Sequence, residues 1–134
     1  MFSPQTEWTP PDELKDLSQA KQIAIDLETR DPNLTTRGSG SVRDDGEIVG
    51  IAVAIEGWSG YFPIAHEGGG NIDKKIVLDW FKDVLKTPAT KIFHNAMYDV
   101  SWIRALGFKI EGRIVDTMIA GSLVNENRLR YNLN

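Results

Sequence analysis

The stretch QIAIDLE at residues 22–28 decides how the rest of the chain is read. Ile23 and Ile25 are β-branched and favour an extended chain, so Gln22–Leu27 is expected to be a strand. Side chains alternate along a strand, so Asp26 and Glu28 share one face, roughly 6–7 Å apart along the chain. Asp26 follows the apolar run Ile23-Ala24-Ile25, which seats it near a core. A carboxylate there has to be paired, hydrogen-bonded or metal-bound. Taken alone, however, an Asp-x-Glu is more often a solvated strand end than a site.

Upstream, Pro4, Pro10 and Pro11 make residues 1–20 an extended arm, with a short helical turn expected from Asp12 to Leu17. Residues 21–134 form the domain proper. Downstream, residues 31–46 are rich in Gly, Asp and Ser and read as a long loop or wide hairpin turn. Glu47–Ile55 is a second strand with large residues at Val49, Ile51, Val53 and Ile55. Its other face carries Gly50, Ala52 and Ala54, small enough for close packing. Ser59–Ile64 is a third strand. The pattern then turns to helix and strand: a helix over Asp73–Lys86, a strand at Lys91–Phe93, a helix over Ala96–Leu106, a strand at Arg113–Val115 and a helix over Thr117–Val124. Ile76, Val77, Trp80, Phe81, Val84 and Leu85 form the apolar stripe of the first helix. Three strands followed by this alternation make an α/β domain.

Hydrophobic residues make up 41% of the 134, enough for a real core, and no apolar run approaches the ~20 residues of a membrane helix. A cytoplasmic setting is the default expectation. There is no cysteine, so any metal must be held by oxygen or imidazole. The net charge of −4 disfavours generic coating of nucleic acid, which needs Lys and Arg. It leaves open a nuclease whose carboxylates bind cations that then meet phosphate.

Asn95 and Asp99, four apart in HNAMYD, share one helical face at the carboxyl end of a strand, where α/β proteins bind ligands. Asn95 also suits a helix cap, and Asp99 alone is more often a surface residue. Carboxylates converging within ~5 Å repel by roughly 3 kcal/mol per pair at an effective dielectric of 20, so a cluster calls for a cation. All-oxygen ligands favour Mg²⁺ or Mn²⁺.

The segments IAIDLET, GEIVGIAVAIEGWSGYFPIAH, KIFHNAMYDVSWIRALGF and IVDTMIAGSLV, in that order, resemble the proofreading 3′–5′ exonuclease domain of family A DNA polymerases, especially those of bacteriophages. The resemblance runs from about Ile23 to the end of the chain. It implies an RNase H-like fold with a mixed five-stranded sheet and two-metal hydrolysis of a terminal phosphodiester, releasing nucleoside 5′-monophosphates. It implies Asp26, Glu28 and Asp99 as catalytic and metal-binding residues, and Thr29, Leu34, His94, Asn95 and Tyr98 at the substrate. The implied partners are the 3′ end of single-stranded DNA and the remainder of a polymerase. Asp116-Thr117 matches a strand-to-helix junction of the family.

The family's third motif, a Tyr or His with a fourth carboxylate on a later helix, has no counterpart here. Tyr131 better suits an apolar anchor of the following helix. The chain is therefore expected to be a fragment without the C-terminal helices, slow or silent as a nuclease. Its bared sheet face would then drive homo-oligomers. The competing readings are a silent nucleic-acid-binding module, a structural fragment, and an RNA-trimming exonuclease of the same superfamily. Arg30, Arg37 and Arg43 are candidates to line the path of the strand, although loop arginines are usually just solvated. His94 more often serves as a hydrogen-bonded neighbour of a site, Leu34 as a loop anchor, and His66 receives no role.

Overall fold

The structure, a computed structural model, describes residues 14–34, 38–42 and 46–118. Its strands are β1 (Gln22–Arg30), β2 (Glu47–Ile55), β3 (Trp58–Pro63), β4 (Thr90–Phe93) and β5 (Ile114–Asp116). Two helices, α1 (Lys74–Lys86) and α2 (Ala96–Ala105), follow β3 and β4. The strands form one sheet in the order β3-β2-β1-β4-β5. The first three pair antiparallel, whereas β4 runs parallel to β1 and β5 parallel to β4. This is the mixed five-stranded sheet expected of the chain.

β1 runs three residues further than its apolar pattern indicated, because Thr29 and Arg30 still pair with Ile48 and Glu47. The register shifts between Glu28 and Thr29, a bulge that re-aims side chains next to Glu28. Arg30 and Glu47 face each other in register and form an ion pair, and Arg30 Nη2 donates to the Ala65 carbonyl at 2.9 Å. Arg30 is thus occupied by the sheet. Arg37, Arg43, Tyr131, residues 1–13 of the arm and the part of the third helix beyond Met118 lie outside the described residues.

Two expectations are corrected. Leu14–Leu17 are not helical; the chain turns at Ser18-Gln19, where Ser18 N donates to Asp16 Oδ1 at 2.9 Å. Ile76 is exposed, because the buried stripe of α1 is Val77, Phe81, Val84 and Leu85, the i, i+4, i+7, i+8 set of a true helical face. Asp73 caps α1 by accepting from Lys75 N and Ile76 N, and Thr87 ends it by donating to the Val84 carbonyl.

The core lies on one face of the sheet, where Ile23, Ile25 and Leu27 meet Ile51, Val53, Phe62 and the apolar faces of α1 and α2. Lys91 is fully buried, and its ammonium donates to the carbonyls of Thr87 and Glu111. Burial lowers its pKa, and the two carbonyls compensate part of that cost. On the opposite face, Ala24, Asp26 and Glu28 of β1 are exposed and Ala52 and Ala54 of β2 half-exposed. No described helix packs there.

Candidate active site

Asp26 and Glu28 project from the open face at the carboxyl end of β1. Asp99 reaches the same place from the other side. The parallel pairing of β1 with β4 stops at Ala24 and Ile92, which leaves the edge of β1 beyond it without a strand partner. Asp99, in the first turn of α2, fills that gap and accepts a hydrogen bond from the Leu27 backbone. Its residue is only 3% exposed. Burial pushes the Asp99 carboxyl up to about 7; the Leu27 N–H opposes the shift, and the negative charges of Asp26 and Asp116 add to it. One oxygen, Oδ2, has no hydrogen-bond partner.

The start of α2 is held by Asp116 of β5. Its Oδ1 accepts from Asn95 N and its Oδ2 from Ala96 N, both at 2.9 Å. Asp116 Oδ1 also accepts from Met118 N, the capping contact expected where a helix begins at Thr117. Asn95 itself makes no side-chain cap. It sits in the left-handed region with φ 75°, a conformation Asn tolerates better than most residues. The capping role read for Asn95 thus belongs to Asp116, and the Asn95 amide is left for other work.

Tyr98 locks the loop after β1 to α2. Its hydroxyl contacts Thr29 Oγ1 at 2.8 Å and donates to Asp31 Oδ2 at 2.9 Å, and Asp31 in turn accepts from Gly40 N. Ser41 donates to Ser101 at 2.7 Å alongside. Leu34 is 43% exposed, so it is not a buried loop anchor. His94 follows β4, with Nδ1 3.0 Å from Thr117 Oγ1. It borders a hollow on the open face together with Ala24, Asp26, Ala52, Tyr61 and Ile92.

Glu28 is held from β3 and the loop after it. It accepts a hydrogen bond from the Tyr61 hydroxyl and lies 3.4 Å from His66 Nε2. Burial, and then Glu28 itself, raise the Tyr61 pKa. Neither Tyr61 nor His66 was legible as part of the site. The available signal was the register: Tyr61 pairs with Ala52, and Gly50 beside it pairs with Glu28.

Among the described residues, no group of three His, Asp or Glu side chains converges to hold a metal. The donor chemistry nonetheless suits a hard divalent cation. The set is all oxygen, and a buried carboxylate with a partnerless oxygen beside a second carboxylate is costly without a positive charge.

A family model described as 3′–5′ exonuclease matches residues 2–134. A DNA-directed DNA polymerase of Pseudomonas phage M6 is 36% identical over 96% of this chain and 20% of its own length. The chain thus spans about a fifth of that relative. Among solved structures, the complex of Trypanosoma brucei RNase D with RNA U12 matches with TM-score 0.59 and 18% identity, covering 80% of this chain and 34% of that one. Brucella melitensis NrnC with bound Mg²⁺ matches with TM-score 0.54 and 23% identity, covering 84% and 49%. At these identities the two structures bear on the fold alone, which is that of RNase H-like exonucleases.

Proposed function

Since the chain belongs to the 3′–5′ exonuclease domain family of family A DNA polymerases, we propose that its open sheet face removes nucleotides from the 3′ end of single-stranded DNA for a phage polymerase. The observation that carries this reading is the convergence of Asp26 and Asp99 at the end of β1, with the second buried and one of its oxygens unpartnered. Asp26, Glu28 and Asp99 would hold the divalent cations, Mg²⁺ or Mn²⁺. Those ions, when bound, would activate water and stabilise the leaving oxygen of the phosphodiester.

The remaining residues position the substrate. The turn at Asp116 fixes the first turn of α2, and so the height of Asp99 above β1. Tyr98 holds Thr29 and the loop bearing Leu34 against α2, so the backbone at Thr29 and the exposed Leu34 side chain can flank a terminal nucleotide. Stacking of a base on an apolar side chain would hold it without reading sequence. Asn95 and His94 stand at the other lip of the site.

The test is a 5′-labelled single-stranded oligonucleotide incubated with the protein and Mn²⁺, beside an RNA of the same sequence. Stepwise shortening from the 3′ end, lost in Asp26→Ala, is expected. Equal shortening by wild type and Asp26→Ala would refute the reading. Faster shortening of RNA than of DNA would favour RNA trimming as the second reading.

A further inference from the structure

The contact that holds the Glu28 carboxylate is built by several separate features. Tyr61 lies on β3, two strands from Glu28, and its ring crosses above Gly50 of β2 to reach it. A Cβ placed on Gly50 would fall 1.9 Å from the Tyr61 oxygen, so only glycine leaves that path open. Because the phenol gives its single proton to Glu28, its second contact, 2.6 Å from His66 Nε2, must be an acceptance from the imidazole N–H. The ring of His66 meets that of Tyr61 edge-on, with centroids 5.7 Å apart. His66 is itself fixed by Asn71, whose side chain accepts from His66 N at 2.7 Å and donates to its carbonyl at 2.9 Å. Two successive donors, a missing side chain and a clamped loop converge on one carboxylate oxygen.

We propose that Tyr61 and His66 are positioning residues that latch the Glu28 carboxylate, so that a cation taking Glu28 as a ligand must break the Tyr61–Glu28 hydrogen bond to complete the site. The proposal rests on the reading of Asp26, Glu28 and Asp99 as a cation site. Within it, the latch lowers cation affinity by the strength of the hydrogen bonds that Glu28 gives up. Hydrogen bonds to a charged group are stronger than neutral ones, and this one is partly exposed, so its removal should tighten binding by about three- to tenfold. A network serving only to hold the fold would act in the opposite direction, because a loosened site binds more weakly.

The experiment is a Mn²⁺ titration followed by electron paramagnetic resonance of the free ion, on wild type, Tyr61→Phe, His66→Gln, Tyr61→Phe/Glu28→Gln and Asp26→Asn. Thermal melts of the metal-free proteins run in parallel. Tyr61→Phe keeps the ring over Gly50 and removes only the hydroxyl. It is expected to bind Mn²⁺ about three- to tenfold more tightly than wild type, His66→Gln to shift the same way by less, and the gain to vanish when Glu28→Gln is added. Unchanged or weaker binding by Tyr61→Phe, with binding to wild type intact and lost in Asp26→Asn, would overturn the latch and leave the cation site standing. Absence of binding to wild type, or equal binding by Asp26→Asn, would remove the cation site and the latch with it.

Discussion

The two faces of β1 are made of alternate residues of one nine-residue strand, yet they obey opposite rules. On the covered face, Ile23, Ile25 and Leu27 are buried among apolar side chains, and every contact there favours the fold. On the open face, Asp26 sets negative charge near Asp99, whose carboxyl the fold would rather keep neutral. The covered face holds the sheet together. The open face carries an electrostatic cost that a proton on Asp99 or a bound cation would relieve, the pattern expected where a protein gives up stability for function. A period of two lets one strand carry both roles without compromise.

The sharpest way to break this contrast is at the open face. Asp26→Asn or Asp99→Asn should lower 3′-end shortening by about a thousandfold or more, because several kcal/mol of transition-state stabilisation go with the cation. Neither should unfold the protein, and the circular dichroism spectrum should be unchanged. On the covered face the outcome reverses. Phe81→Ala should cost about 3–5 kcal/mol in urea unfolding, while Ala24→Ser opposite should stay within about 0.5 kcal/mol of wild type.

A third test uses pH. The Asp99 carboxyl is raised to about 7 in the fold, well above the ordinary carboxylate value it has when unfolded. The native state therefore holds an extra proton between those two values. Its contribution to stability is fully present below the unfolded pKa and is lost as pH rises from about 4 to about 7. Urea unfolding in a chelator at pH 5 and pH 8 should show that fall, of up to a few kcal/mol, beyond what Asp99→Asn shows. A smaller effect is expected from Gly50→Ala, whose methyl group collides with the Tyr61 hydroxyl; overpacking of about 1 kcal/mol should appear in urea unfolding of the metal-free protein.

The fold was largely legible because its signals are local. Alternation in QIAIDL and EIVGIAVAI and the apolar stripe in α1 each act over a few residues. The site was legible only where resemblance linked distant segments. Nothing near Tyr61 or His66 in sequence points to Glu28, 33 residues from Tyr61, because that contact depends on strand order and on the space above Gly50. Asn95 shows the converse. Its sequence position suits a cap, but the strand β5 delivers Asp116 to the same helix end, and a charged carboxylate there competes better for the free N–H groups.

The most direct measurement is a calorimetric Mn²⁺ titration at pH 7 in two buffers of different ionisation enthalpy, on wild type and Asp99→Asn. Wild type is expected to bind Mn²⁺ and release a fraction of a proton, since burial holds the Asp99 carboxyl partly protonated near neutral pH and it must ionise to become a ligand. Asp99→Asn is expected to lose both the binding and the proton release. Binding of equal affinity by Asp99→Asn would contradict the assignment of this carboxylate to the cation site.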